Sequence, residues 1–581
     1  MKKDSRLLAW LLPPVCFAAF LLILLACSNY CIGFKEQAGI FFFGPDCLTR
    51  YMTEPAVLAS VLGDFLTRFF FMSEWTGVAI SMVMIVLLWL GIDRFMHSIG
   101  ASVNSRFLAI VPAALECAFV TYPNYPLSAT ISLVLGVWAA VAVAAARNRN
   151  LIWKIACIAG VPVLYVIVGA SGALAFGFLI LSLTYEKQLF RIIAVAEIVL
   201  LPILGGWLYN MSGKAALVYP VPVGYITPNI ALVALLPLLI CILAFIAKSR
   251  QFKWWLAFPV AVLSVGLVWI SKADDDLEYS IEIGTHAYYG EWDKVREMGR
   301  ENHGSRYGLF FYNLSFARDG QLPDNLLSIR QHYLADGLFL SASKGENYLS
   351  SFYMPMALIE IGDFAQANDC ALLGQTAMPG GYSSRMMVTL TEIAIASGQY
   401  DVALKYLDIL SRTPGHMRWA SALKSKIMEG DIPEKYLNWR SRSSQENDVL
   451  FAQGDIRSSL KIITDATPLN KISADYLLCS LLLEKRVNTF VSLYERWYLG
   501  ILDRFVEVPE IYEQALLVNV NSNESLEECV ERYSISEKTY NRYMEFLEAQ
   551  IAAQGNLSRL KNFTDTYWYY IMTTNFVQNE Q

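Results

Sequence analysis

Nine apolar runs dominate the first half of the chain: 7–27, 76–92, 107–122, 127–146, 151–170, 173–185, 192–208, 230–247 and 254–271. A helix rises about 1.5 Å per residue, so a run of roughly 20 apolar residues crosses the hydrocarbon of a bilayer. Several of the nine are of borderline length, and the pair flanking Gly169-Ala-Ser-Gly172 admits a different count. The last run, WWLAFPVAVLSVGLVWIS, passes abruptly into KADDDLE. That change divides the chain into a transmembrane domain, 1–271, and a soluble domain, 272–581. The expected fold class is all-α: a polytopic transmembrane helix bundle of about nine spans, followed by a helical-pair, tetratricopeptide-like solenoid.

Charge orients the bundle. With the N-terminus cytoplasmic, thirteen Lys and Arg residues fall in cytoplasmic segments, from Lys2 and Arg6 to Arg250 and Lys253. Only Lys35, Arg50, Arg68 and Lys214 fall on the other side. This positive-inside bias and an odd number of spans put 272–581 on the outer side. Residues 1–271 hold 17 Lys+Arg and 10 Asp+Glu, and the remainder 29 and 42. A soluble half of net charge −13 argues against nucleic acid as its partner. The ten cysteines form no CxxC pair and no Cys/His cluster at zinc spacing, so neither a metal nor a cofactor is expected. Leu24-Leu-Ala-Cys27 has the outline of a lipoprotein signal, the alternative to an uncleaved first span.

The loop at 28–75 is the longest of the membrane half. Val57, Leu58, Val61, Leu62, Phe65, Leu66, Phe69 and Phe70 make one helical stripe, with Thr53 as a cap and Pro55 in the first turn. Asp64 and Arg68 lie four apart on the opposite face. The pattern predicts an amphipathic helix in the outer-leaflet interface. Cys31 and Cys47 share this loop and are candidates to pair, the alternative being two free thiols. Glu116 lies inside the third run. A carboxylate there faces a bundle interior or a wet cavity, or else snorkels to the interface. Glu197 in the seventh run sits close enough to Arg191 for snorkelling.

In the soluble half a Gly-x-aromatic or Gly-x-aliphatic turn recurs at Gly290, Gly320, Gly362, Gly398, Gly454 and Gly555. Gly362 and Gly398 are 36 residues apart, near the tetratricopeptide period. ALIEIGDFAQANDCALLGQTAMP and EIAIASGQYDVALKYLDILSRTP resemble two such repeats. A solenoid of this kind presents a concave face, usually to a peptide or protein. Asp274-Asp-Asp276 reads as a helix cap rather than a metal site. The aromatic stretch 562–570 reads as core or as the seam to the membrane half, with a ligand platform as the alternative.

The loop FKEQAGIFFFGPDCLTRYMTEPAVLASVLGDFLTRFFFMSEWTG, the multi-span half and the tail TYWYYIMT resemble an uncharacterised family of bacterial polytopic membrane proteins with a C-terminal helical-repeat domain. That resemblance implies an inner membrane, with the repeats in the periplasm. The chain also resembles, more distantly, the C-type polyprenol-dependent membrane glycosyltransferases, which place a catalytic carboxylate early in a large first outer loop. The resemblance puts Glu36 in that role, with Asp46 and Asp64 as alternatives. The acidic pair of those enzymes is replaced here by Glu36-Gln37.

Three functions follow as expectations. The first is an envelope scaffold that anchors in the lipid bilayer and binds a periplasmic protein partner through 272–581 in assembly or export. The second is a glycosyltransferase using a polyprenyl-phosphate sugar donor, with Glu36 as general base. The third is a transporter with Glu116 in a coupling site. No stretch carries an unmistakable catalytic signature.

Overall fold

The computed structural model describes residues 2–102, 107–146, 151–183, 188–224, 226–249, 254–340, 348–443, 456–502, 507–519 and 525–574. The Gly454 turn and several of the orienting cations (Arg106, Arg147, Arg149, Lys187, Arg250 and Lys253) lie outside these residues. Among the described residues the regular structure is helical throughout and contains no strand.

The chain forms two compact units. The first comprises Met1–Glu282 with Met378–Met387 and Leu407–Lys424; the second comprises Ile283–Ala377, Val388–Tyr406 and Ser425–Gln581. Compactness and hydropathy therefore draw different boundaries, because two segments of the polar half fold with the apolar one.

The helices of the first unit are α1 (Lys2–Cys27), α2 (Asn29–Ala38), α3 (Pro45–Met52), α4 (Val57–Thr67), α5 (Thr76–Ser98), α6 (Ile110–Val120), α7 (Leu127–Ala145), α8 (Leu151–Val168), α9 (Ala170–Leu183), α10 (Gln188–Leu208), α11 (Gly213–Val218), α12 (Ile230–Ser249), α13 (Ala257–Ile270) and the start of α14 (Asp275–Tyr288). Each apolar run lies on a helix. Three stretches among the described residues are long and apolar enough to cross a membrane: Thr76–Ser98, Leu127–Ala145 and Ile230–Lys248. The number rises to five if each of two bent pairs is one span: Leu11–Cys27 with Asn29–Ala38 (70°) and Ala257–Ile270 with Asp275–Tyr288 (58°). The other apolar helices are shorter. One reason is visible at Gly169, which ends α8 at φ +97 and starts α9 at the next residue.

The bundle packs on small residues. A Cβ on Gly136 of α7 would stand 2.1 Å from the Gly172 carbonyl oxygen of α9, and one on Gly172 would stand 2.2 Å from that of Ser132. Such contact brings two backbones together, as helices do where apolar burial gives no drive. Large apolar side chains point outward instead: Trp207 is 83% exposed, Ile270 83% and Leu263 72%. An apolar exterior of this extent is compatible with a lipid surround.

The helix expected at 57–70 is present as α4 (Val57–Thr67), with a different start. Thr53 does not cap it; its hydroxyl bonds the Arg50 carbonyl and closes α3. The buried face is Ala59, Ser60, Gly63 and Thr67, while Leu58 and Leu62 are exposed. Gly63 meets the Ser128 backbone, so the small stripe docks on α7, while Val57, Val61 and Phe65 pack beside Phe41, Cys47 and Tyr51. Asp64 accepts a hydrogen bond from the Tyr51 hydroxyl (2.6 Å), and Arg68 pairs elsewhere. Cys31 and Cys47 are both buried and both free.

The second unit is built of short helices joined by tight turns. Gly362 and Gly398 sit at φ +94 and +79. Behind each, an N–H reaches back to the preceding helix: Asp363 to the Leu358 carbonyl (2.9 Å) and Gln399 to that of Ala394 (2.8 Å). This glycine-ended closure satisfies carbonyls left over at the helix end. Gly290 and Gly320 are closed in the same way. The aromatic tail is core: Tyr567, Trp568 and Tyr570 are buried, and Trp568 Nε1 donates to the Gln514 carbonyl at 3.0 Å.

Candidate functional sites

The first site grows from the ends of α2. A helix leaves its first N–H groups and last carbonyls without partners inside the helix. At the start of α2, Ser28 makes no cap; its hydroxyl accepts from Ala273 N (3.0 Å). The Glu278 carboxylate caps the helix instead, accepting from Tyr30 N (2.6 Å) and Cys31 N (2.8 Å). Asp274, just ahead of it, accepts from Asp276 N and Leu277 N, so the acidic run does cap a helix, α14.

At the far end of α2, Ser384 Oγ donates to the Glu36 carbonyl (2.9 Å) and Ser383 Oγ to that of Gln37 (2.7 Å). Ser383 also caps its own helix by accepting from Met386 N. Arg385 Nη1 donates to Gln37 Oε1 at 2.9 Å. Arg68 Nη1 donates to the Gly39 carbonyl (2.8 Å) and to Glu36 Oε1 (3.4 Å), with side-chain exposures of 1% for Arg68 and 6% for Glu36. His416 Nε2 lies 3.9 Å from the same Glu36 oxygen. Burial pushes the His416 imidazole below its usual range; Glu36 opposes that and Arg68 reinforces it.

Glu36 is thus a buried carboxylate paired with the Arg68 guanidinium and close to the His416 imidazole, while Ser383, Ser384 and Arg385 hold the backbone and the Gln37 side chain beside it. Such a group can hold a neighbour's charge in place. To act as a base it would first have to release Arg68. Asp46 does not join it: Asp46 is exposed in the first turn of α3, 3.9 Å from Arg412 Nη1. Glu116 is fully buried between α6 and α7. Its Oε1 accepts from Tyr125 Oη (2.8 Å) and Thr130 Oγ1 (2.6 Å), and its Oε2 has no hydrogen-bond partner. Glu116 therefore faces the bundle interior and does not snorkel. Lys35 Nζ is spent on the Val120 carbonyl (2.7 Å). His416, Ser383, Ser384 and Arg385 carry no local signal of membership, since each meets α2 across more than 340 residues of chain.

The second site is a groove in the second unit with a volume of about 1140 Å³, lined by Arg330, His332, Tyr333, Glu484, Asp565 and Tyr569 among others. Its wall is fixed before any ligand arrives. Tyr570 Oη donates to the Leu483 carbonyl (2.7 Å), and Lys485 Nζ to that of Ile571 (2.7 Å). Arg542 Nη2 reaches both Asp565 oxygens at 2.8 Å. His332 stacks on His303 at 5.3 Å. Burial, and then Arg330 and His303, pull the His332 imidazole below its ordinary value. Among the described residues no group of three or more His, Cys, Asp or Glu side chains is placed to hold a metal ion.

A protein-family model matches residues 4–574. The chain belongs to the DUF6057 family, a family of unknown function. The DUF6057 match covers both compact units, so the α2 cluster and the groove are parts of one family architecture. No curated protein and no solved structure matches the chain.

Proposed function

We propose that this DUF6057 protein is a multi-pass protein of the bacterial inner membrane whose periplasmic helical-repeat domain, 272–581, holds a segment of another envelope protein during assembly or export. The groove carries the reading. Its volume of about 1140 Å³ lies above the roughly 300–1,000 Å³ usual for small-molecule pockets. Its lining mixes tyrosines with both signs of charge, which suits a peptide backbone and its side chains better than one compact metabolite. The glycine-closed helix pairs support a tetratricopeptide-like solenoid around it.

The topology, nine spans with a cytoplasmic N-terminus, has its own support. Contacts in the first unit join positions that charge bias puts on the outer side: Lys35 with Val120, Tyr219 with Glu54, Thr121 with Ser271, and Glu278 with Tyr30. Hydrogen-bonded loops must share a side of the bilayer.

The test is photo-crosslinking in living cells. A crosslinking amino acid is placed at Tyr333, at Tyr569, or at the exposed Met428 as a control. The expected result is one and the same protein attached at 333 and 569 and absent at 428, with purified binding weakened by Arg330→Ala. Equal labelling at all three positions, or none in the groove, removes the reading.

The convergence on Glu36 favours a second reading, a glycosyltransferase using a polyprenyl-phosphate sugar. It predicts that a lipid-linked sugar accumulates in a null strain and equally in Glu36→Gln. Mass spectrometry of envelope glycolipids decides, and profiles identical to wild type end that reading.

A further inference from the structure

The loop at 28–75 contains three cations, and the structure uses them differently. Lys35 and Arg68 are buried and committed to protein oxygens. Arg50, on α3, is half-exposed, and among the described residues its enclosed Nη1 meets no hydrogen-bond partner. A guanidinium with idle donors is costly to hold in place. Yet this one is held: its Cζ lies 4.5 Å from the Tyr382 ring centroid and 5.6 Å from that of Tyr51, and its Nη2 packs on Gly380. The helix around it has two faces. Cys47 and Tyr51 point into a small core with Phe41, while Leu48 (51%) and Met52 (69%) are exposed. A helix with one exposed apolar edge and a fixed cation above it is built for the boundary between acyl chains and headgroups.

We propose that Arg50 is the seat of a lipid phosphate, with Tyr51 and Tyr382 holding the guanidinium flat and Leu48 and Met52 contacting the acyl chains. The exposed side of the guanidinium offers a charged donor to a phosphate oxygen, and the apolar edge selects a lipid over a free ion. The site is independent of what the groove binds.

The experiment is native mass spectrometry of the full-length protein in neutral detergent, titrated with phosphatidylglycerol, diacylglycerol of the same chains, or inorganic phosphate. Wild type is expected to bind phosphatidylglycerol in preference to diacylglycerol, with no displacement by inorganic phosphate. Arg50→Gln is expected to weaken binding by about tenfold, Arg50→Lys and Tyr382→Leu by less, and Lys214→Gln not at all. If Arg50→Gln fails to fold, Arg50→Lys and Tyr382→Leu carry the test on the same terms. Binding unchanged in the folded Arg50 and Tyr382 variants, equal binding of diacylglycerol, or displacement by inorganic phosphate would overturn the proposal.

Discussion

Glu36 and Arg68 meet at 3.4 Å inside the first unit, and neither side chain has meaningful access to water. Removing one partner of a buried pair leaves the other charge uncompensated, a loss of roughly 3–5 kcal/mol. Arg68→Ala is therefore expected to lower the thermal midpoint in nanodiscs markedly, and Glu36→Gln less, because an amide still accepts. The double variant Glu36→Gln/Arg68→Met should recover part of the loss. A midpoint unmoved by Arg68→Ala would show that the pair is not buried in the folded protein.

His416 gives the same cluster a pH dependence. Its folded pKa lies below the ordinary 6.5, so the unfolded chain takes up its proton first as pH falls. The stability it permits is complete above pH 6.5 and is lost as pH falls from there through the folded value. Wild type should lose more of its thermal midpoint than His416→Gln on going from about pH 7.5 to about pH 5.5. Parallel curves for the two proteins would contradict the geometry.

Gly136 and Gly172 set how closely α7 and α9 approach. Gly172→Ala places a methyl where the Ser132 carbonyl stands, and overpacking of this kind costs about 1–3 kcal/mol. The expected readout is a lower thermal midpoint for Gly172→Ala with none for Gly213→Ala, where an added Cβ meets nothing within 4 Å. Equal midpoints would mean that the two helices sit farther apart.

The second unit has its own buried charge. Asp475 accepts from Lys471 Nζ (2.5 Å), Tyr498 Oη (2.6 Å) and Tyr512 Oη (2.9 Å). Asp475→Ala leaves the Tyr498 and Tyr512 hydroxyls without their acceptor and the Lys471 ammonium with the Gly320 carbonyl but no counter-charge, a loss of roughly 3 kcal/mol. Limited proteolysis of the full chain should then cut within 425–581 at protease levels that spare wild type. An unchanged cleavage pattern would refute this.

Much of the helix layout was legible because period and turn chemistry are local. Each apolar run holds a helix, Asp274 caps α14, and Gly362 and Gly398 close helices where their spacing said. The inner face of α4 was not legible in the same way. The small stripe Ala59, Gly63, Thr67 turns inward because it lets the α4 backbone approach α7, while Leu58 and Leu62 stay exposed and Phe65 packs beside Phe41. The partners of Glu36 and Gln37 were illegible for another reason. Ser383, Ser384, Arg385 and His416 are ordinary surface-type residues in their own neighbourhood, and only the fold brings them to α2. Glu116 was recognisable from sequence as a carboxylate inside an apolar run, with the bundle interior and the interface both open to it; its hydrogen bonds to Tyr125 and Thr130 decide for the interior.

The helix at Asn29–Ala38 also sets a timetable. Its start is closed by Glu278 and its end by Ser383 and Ser384, and the Glu36–Ser384 bond spans 348 residues. At roughly 5–20 residues per second of synthesis, those carbonyls wait about 20–70 s for their donors. Throughout that interval the helix already exists as sequence but its termini are unsealed. Biogenesis of this chain must therefore keep a half-finished first loop from finding other partners until the ribosome has delivered its far end.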